Sequence, residues 1–131
     1  MINFNKAPCI YWRDSVKISY LQRRIIIHSL LYYELNVNCI SDESFDELCI
    51  QLLEMQKSAD IKELKQSTYY YVFCDFDGST GCDIPQRLTD YDYKYLLNIA
   101  QHVYKLYEQD VQDKIKRRKL NKNVDTERFR E

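Results

Sequence analysis

Thr68-Tyr69-Tyr70-Tyr71-Val72-Phe73-Cys74-Asp75-Phe76 is the stretch on which the fold class turns. Aromatic and β-branched side chains dominate it, and such residues suit a pleated, half-buried surface. It reads as a β-strand. Gly78 and Gly81, the two glycines of the chain, follow closely with Ser79, Thr80 and Pro85, which marks a loop. One strand cannot support a sheet alone. Its partner is expected in the N-terminal segment, in a hairpin with residues near 82–86, or in a second copy of the chain, which would make a homodimer.

On either side of this stretch the pattern is helical. Residues 1–13 read as irregular, with Pro8 breaking any helix. Asp14 and Ser15 are N-cap candidates. Ile18, Leu21, Ile25, His28, Tyr32 and Leu35 then recur at three or four residues, and Ile26, Ile27, Leu30 and Leu31 widen the stripe. The spacing predicts a helix over about 15–35, buried over much of its girth. Asn36–Ile40 is a short link. Ser41 stands as N-cap before the acids Asp42 and Glu43, which suit the positive end of a helix. Phe45, Leu48, Cys49, Leu52, Met55 and Ala59 predict a second helix over about 42–58. Asp60 recaps a short helix through Gln66. Beyond the loop, Thr89 or Asp90 caps a long helix with Leu96, Ile99, Ala100, Val103, Tyr107 and Val111 as its apolar stripe. The fold class is therefore mainly α with a small β element (α+β): a helical pair, a short strand or hairpin, and a long C-terminal helix. Residues 1–119 are expected to form a single compact domain, and 120–131 a frayed or disordered charged tail.

With 131 residues, 45% hydrophobic and 30% charged, the composition is that of one globular domain. No apolar run approaches the roughly 18 residues of a membrane span. Met1–Asp14 contains no apolar core of a secretory signal, so a cytoplasmic protein with no membrane partner is expected. Cysteines stand at 9, 39, 49, 74 and 82, an odd number with no CxxC spacing, which points to reduced thiols. With two histidines and no ligand cluster, no metal is expected. Phe, Tyr, Met, Ile, Asn and Lys make up 49 residues against 15 for Gly, Ala, Arg and Pro. That balance follows AT-rich codons and suggests a phage or mobile-element gene of an AT-rich bacterium.

Charge is placed unevenly. Residues 67–112 carry 3 basic and 7 acidic groups, whereas 113–131 carry 8 basic and 4 acidic. The acidic middle suits a basic partner and the basic end suits nucleic acid. Twelve tyrosines are unusual for this length, and two groups of them flank the acidic loop. Tyrosine gives large contact area at little entropic cost, so it is enriched at protein interfaces. Tyr69, Tyr71, Asp75, Asp77, Asp83, Asp90, Tyr91, Asp92 and Tyr93 are the candidate partner-binding residues. The expected function is binding without catalysis. An acidic, tyrosine-rich face would occupy the DNA channel of a host nucleic-acid-binding effector, so the chain would inhibit a defence nuclease in the anti-CRISPR manner, in the host cytoplasm. Lys116, Arg117, Arg118 and Lys119 lie in a run without acids, and a DNA-associated accessory protein acting through them is an alternative.

The alternative that stands ahead of that one rests on a likeness. Tyr32-Tyr33-Glu34-Leu35-Asn36-Val37-Asn38-Cys39-Ile40-Ser41-Asp42-Glu43-Ser44-Phe45-Asp46-Glu47-Leu48 resembles the N-terminal helical subdomain of NAD-dependent bacterial DNA ligases, which grips the nicotinamide mononucleotide half of NAD. Tyr32, Tyr33, Ile40, Ser41, Asp42, Asp46 and Leu48 match the pattern. Asn36, Asn38, Ser44 and Phe45 depart from it, Phe45 by loss of a tyrosine hydroxyl. The resemblance covers about residues 20–57. It implies that Tyr32 and Tyr33 offer ring faces to a nicotinamide, that Asp42 and Asp46 accept hydrogen bonds from its ribose or amide, and that Phe45 completes the pocket. Nicotinamide mononucleotide or NAD would then be the ligand; otherwise no cofactor is expected. No Lys-x-Asp-Gly adenylation motif occurs in the chain, so ligation is not expected of it.

Two further likenesses lie in the acidic loop. Asp75-x-Asp77 after a strand is similar to the start of haloacid-dehalogenase-type phosphatases, but the threonine falls one place late and no second strand–acid motif follows. Asp75, Asp77 and Ser79 fit positions of an EF-hand loop, yet Thr80 and Gln86 stand where Gly and Glu are needed. A strand ending in an acidic glycine turn accounts for the same residues.

Overall fold

The computed structural model describes residues 11–78 and 83–128, with side chains as far as residue 120. Among the described residues every regular element is a helix: α1 Asp14–Tyr33, α2 Asp42–Ser58, α3 Ile61–Gln66, α4 Tyr70–Phe73, α5 Ile84–Arg87 and α6 Asp90–Arg128. α1 is the central element and packs against α2, α3, α5 and α6. Ile18, Leu21, Ile25, Ile26, Leu30 and Leu31 are all fully buried. They meet Leu48, Cys49 and Leu52 of α2 and Leu96, Ala100 and Val103 of α6 in one core. The three- and four-residue spacing read from the sequence is the cause: each stripe is one apolar face, and burying it stabilises the helix.

Helix ends follow local chemistry. The Ser41 side chain accepts from the Ser44 backbone N–H at 3.1 Å, capping α2 as expected. Asp60 accepts from Lys62 N–H at 2.8 Å and starts α3, and Thr89 accepts from Asp92 N–H at 3.2 Å and starts α6. At α1 the expectation is corrected. Arg13, not Asp14 or Ser15, is the N-cap, and its side chain makes no cap bond. It reaches across to Glu63 of α3 at 2.8 Å, and this contact with Ser15 beside it holds the Glu63 carboxyl below its ordinary range.

The β element is a correction. No strand occurs among the described residues, and the tyrosine-rich stretch forms the single turn α4. A lone strand there would leave its amides unpaired, whereas a turn pairs them locally. Tyr70 N–H donates to Ser67 O, Val72 and Phe73 N–H both donate to Tyr69 O, and Phe76 N–H donates to Phe73 O. Side chains hold what the turn leaves over. Gln22, fully buried on α1, accepts from Tyr69 N–H at 3.1 Å and donates to Ser67 Oγ at 3.1 Å and Gln56 Oε1 at 3.2 Å. Gln56 of α2 donates to Phe73 O, and Arg87 of α5 donates to Val72 O, both at 3.1 Å. Tyr69, Val72 and Phe73 are thereby sunk into the core. The hairpin expected near 82–86 is the helical turn α5, with Pro85 in its first turn, where no amide hydrogen is missed. Residues 79–82, with Gly81 and Cys82, and Cys9 lie outside the described residues.

α6 is one helix of 39 residues, about 58 Å at roughly 1.5 Å per residue. Its buried positions are Leu96, Ala100 and Val103, and every residue from 112 to 120 is exposed. The backbone of 120–128, read from sequence as tail, continues this helix.

Candidate functional site

α1 and α2 form a helical hairpin, and the site lies where the chain passes from one to the other. α1 ends through a left-handed residue, Asn36 at φ 55°, with Val37 N–H donating back to Leu31 O at 2.9 Å. Asparagine tolerates this conformation better than most residues. The turn swings Val37–Ile40 across the end of the hairpin as the wall of a cavity of about 350 Å³. His28 and Tyr32 are four residues apart on α1, as are Ser29 and Tyr33, so both pairs share one face. From α2, Asp42, Phe45 and Asp46 stand at matching three- and four-residue spacing. All seven line the cavity.

The five residues that the ligase likeness singled out are thus brought together. The Tyr32 and Tyr33 rings meet edge to face, with centroids 4.8 Å apart and planes at 85°. Both are close to half exposed and both border a second recess of about 220 Å³ with Asn36 and Asn38. Phe45 is half-buried, and Asp42 and Asp46 are exposed at the mouth. Among the described residues no lysine or arginine lines the cavity. Ring faces and carboxylates without a cation suit a positively charged or hydroxyl-bearing aromatic ligand. An anionic group would be left to the solvent side.

Six lining residues were not in the set predicted from sequence, His28 and Ser29 of α1 among them. His28 is read there as part of the apolar stripe, and in the fold it is buried. Burial, with the nearby Arg24 charge adding to it, pushes the imidazole down to about 4, so it is neutral at pH 7. Ser29 is 1% exposed, and its Oγ is enclosed without a hydrogen-bond partner. The signal for both was their position one turn before Tyr32 and Tyr33. Cys39 also lines the cavity, and burial raises its thiol.

The tyrosine–aspartate face is assembled only in part. Tyr69 is 5% exposed and belongs to the core, which removes it from any contact surface. Tyr93 is half-buried; desolvation, and after it the bond of its hydroxyl to Glu34, raise its pKa. Tyr71 OH donates to Asp92 and accepts from Thr89 N–H at 3.3 Å. Arg87 sits among the acids, 2.6 Å from Asp75 and 2.9 Å from Asp83. Its guanidinium cancels part of the negative field that the loop shows in sequence. Asp77, Asp90 and Tyr91 remain exposed, and Tyr91 stacks on Tyr95 with centroids 6.3 Å apart and planes at 4°. Asp75 is therefore paired with a cation and follows no strand, unlike a phosphatase nucleophile. Lys116, Arg117, Arg118 and Lys119 are exposed along the outer half of α6.

No family model, curated protein or solved structure matches this chain. Among the described residues no group of three or more His, Cys, Asp or Glu side chains could hold a metal ion, and no helix is long and apolar enough to cross a membrane.

Proposed function

We propose that this chain binds a small ligand at the α1–α2 cavity without catalysing a reaction, and that the ligand is nicotinamide mononucleotide or the corresponding half of NAD. The observation that supports this reading is convergence. Tyr32, Tyr33, Asp42, Phe45 and Asp46, selected by resemblance alone, line one cavity. Its volume of about 350 Å³ lies at the lower end of small-ligand pockets, which run from roughly 300 Å³ upward, and suits a ring with its sugar better than a whole dinucleotide. The cationic pyridinium ring would lie against the tyrosine faces, with the ribose hydroxyls on Asp42 and Asp46. Its phosphate would point to solvent, since the described lining offers it no cation. Titration of labelled protein with nicotinamide mononucleotide, followed by NMR, tests this. Saturable shifts confined to the cavity residues, lost in Tyr32→Ala and Asp46→Asn, are expected. No shift at millimolar ligand overturns the reading.

A second reading, inhibition of a host nucleic-acid-binding effector, is favoured by one observation. Tyr91 is 77% exposed and stacks on Tyr95 beside the exposed Asp90. This reading now rests on Asp77, Asp90 and Tyr91 rather than on the whole predicted face. Loss of partner inhibition in Asp90→Lys and Tyr91→Ala, with Tyr32→Ala unaffected, would distinguish it from the first.

A further inference from the structure

We infer that Ser29 is a specificity-determining residue of this cavity, and that its hydroxyl recognises a neutral amide on the ring of the ligand. The inference rests on the ligand reading above and adds to it the group that the cavity floor reads. Burying a hydroxyl without a partner is costly, and native proteins rarely leave one so. Ser29 is such a case: 1% exposed, its Oγ unpartnered, on the face of α1 that lines the cavity. A helical serine ordinarily satisfies itself on the carbonyl four residues back, as Ser19 does on Ser15 O at 2.7 Å. Ser29 does not.

The surroundings select the ligand's charge. His28, beside Ser29 in the lining, is held neutral at pH 7, and among the described residues neither lysine nor arginine lines the cavity. Asp42 and Asp46 stand at the mouth. A carboxylate on the ligand ring would lose its hydration to a site whose described lining holds two carboxylates and no cation, the Arg24 charge being felt at His28 but absent from that lining. A carboxamide meets neither penalty, and its NH₂ and C=O can both engage a hydroxyl, which donates and accepts. Of the hydroxyl-bearing residues in the described lining, Ser29, Tyr32 and Tyr33, Ser29 is the buried one.

The test is calorimetric titration of wild type and Ser29→Ala with nicotinamide mononucleotide and with its carboxylate counterpart, nicotinate mononucleotide. Wild type is expected to prefer the amide. Ser29→Ala is expected to bind the amide roughly fivefold more weakly, the worth of one ordinary hydrogen bond, and to narrow the amide-to-acid preference by up to that factor while the part set by the surrounding charges stays. The same variant should melt at a higher temperature without ligand, because an unpaired buried hydroxyl has gone; a merely structural serine would move stability and leave the amide-to-acid ratio alone. Ser29→Cys, near in shape and a poor hydrogen bonder, gives the same readout should alanine disturb folding. Wild-type binding with an unchanged ratio in these variants overturns the role of Ser29 and leaves the cavity reading standing. Absence of wild-type binding to either nucleotide overturns both.

Discussion

Acid should unfold this protein through His28 before it does so through its surface carboxylates. The imidazole is buried on α1 against the cavity, and its pKa falls from 6.5 to about 4. Between those values the unfolded chain binds a proton that the folded chain refuses. Unfolding free energy therefore rises with pH across this window: the contribution is complete above about 6.5 and is lost as pH falls towards about 4. At about 1.4 kcal/mol per pKa unit the whole contribution is about 3 kcal/mol, of which about 2 kcal/mol is lost between about pH 7 and about pH 5. That is a large part of the stability of a small domain. Urea denaturation of wild type and His28→Gln at a series of pH values measures it, since the variant keeps the surface carboxylates and loses only the titrating ring. The wild-type midpoint should drop more steeply below about pH 6.5 than that of the variant. Parallel curves, or an imidazole that titrates by NMR near 6.5, would refute the reasoning.

Gln22→Met keeps the volume of the clamp and removes its three hydrogen bonds, leaving Tyr69 N–H buried without its acceptor. A loss of about 2–4 kcal/mol is expected by chemical denaturation; a loss below about 1 kcal/mol would mean that the rings alone dock the segment. Alkylation with peptide mapping should label exposed Cys74 ahead of Cys49, which is buried with its thiol pushed up to about 11. Cys39 should react slowly, and nicotinamide mononucleotide should slow it further, since it lines the cavity.

Where pattern and packing agreed, the sequence was a sufficient guide. The second helix falls on the predicted residues because Ser41 caps it and its stripe is regular. Tyr32, Tyr33, Asp42, Phe45 and Asp46 were picked out by the resemblance alone, and i, i+4 spacing then accounts for the faces on which the cavity gathers them. The strand was not legible as a turn. Tyr69–Phe76 has strong β preference, and what defeats it is Gln22, 47 residues from Tyr69 in the chain, taking the amide that a neighbouring strand would have paired. The acidic face was legible only in part, for a related reason. Counting carboxylates along the chain cannot show that Arg87 folds back between Asp75 and Asp83. Ser29 carried no signal as a residue type, because a serine in a helix is ordinary until its partner is found missing.

The glutamine clamp also orders events in time. Its donors and acceptors come from α1, from α2 and from residues 67–73. α1 and α2 are joined by a short link, so their pairing closes a small loop at little entropic cost. Residues 67–73 have no comparable local drive, for a single turn cannot nucleate by itself. They gain their bonds only once Gln22 and Gln56 are already side by side. The α1–α2 hairpin, which carries the cavity, is accordingly the early unit, and the tyrosine segment condenses onto it afterwards. Injuries to that segment should then be felt as faster escape from the native state rather than as slower arrival.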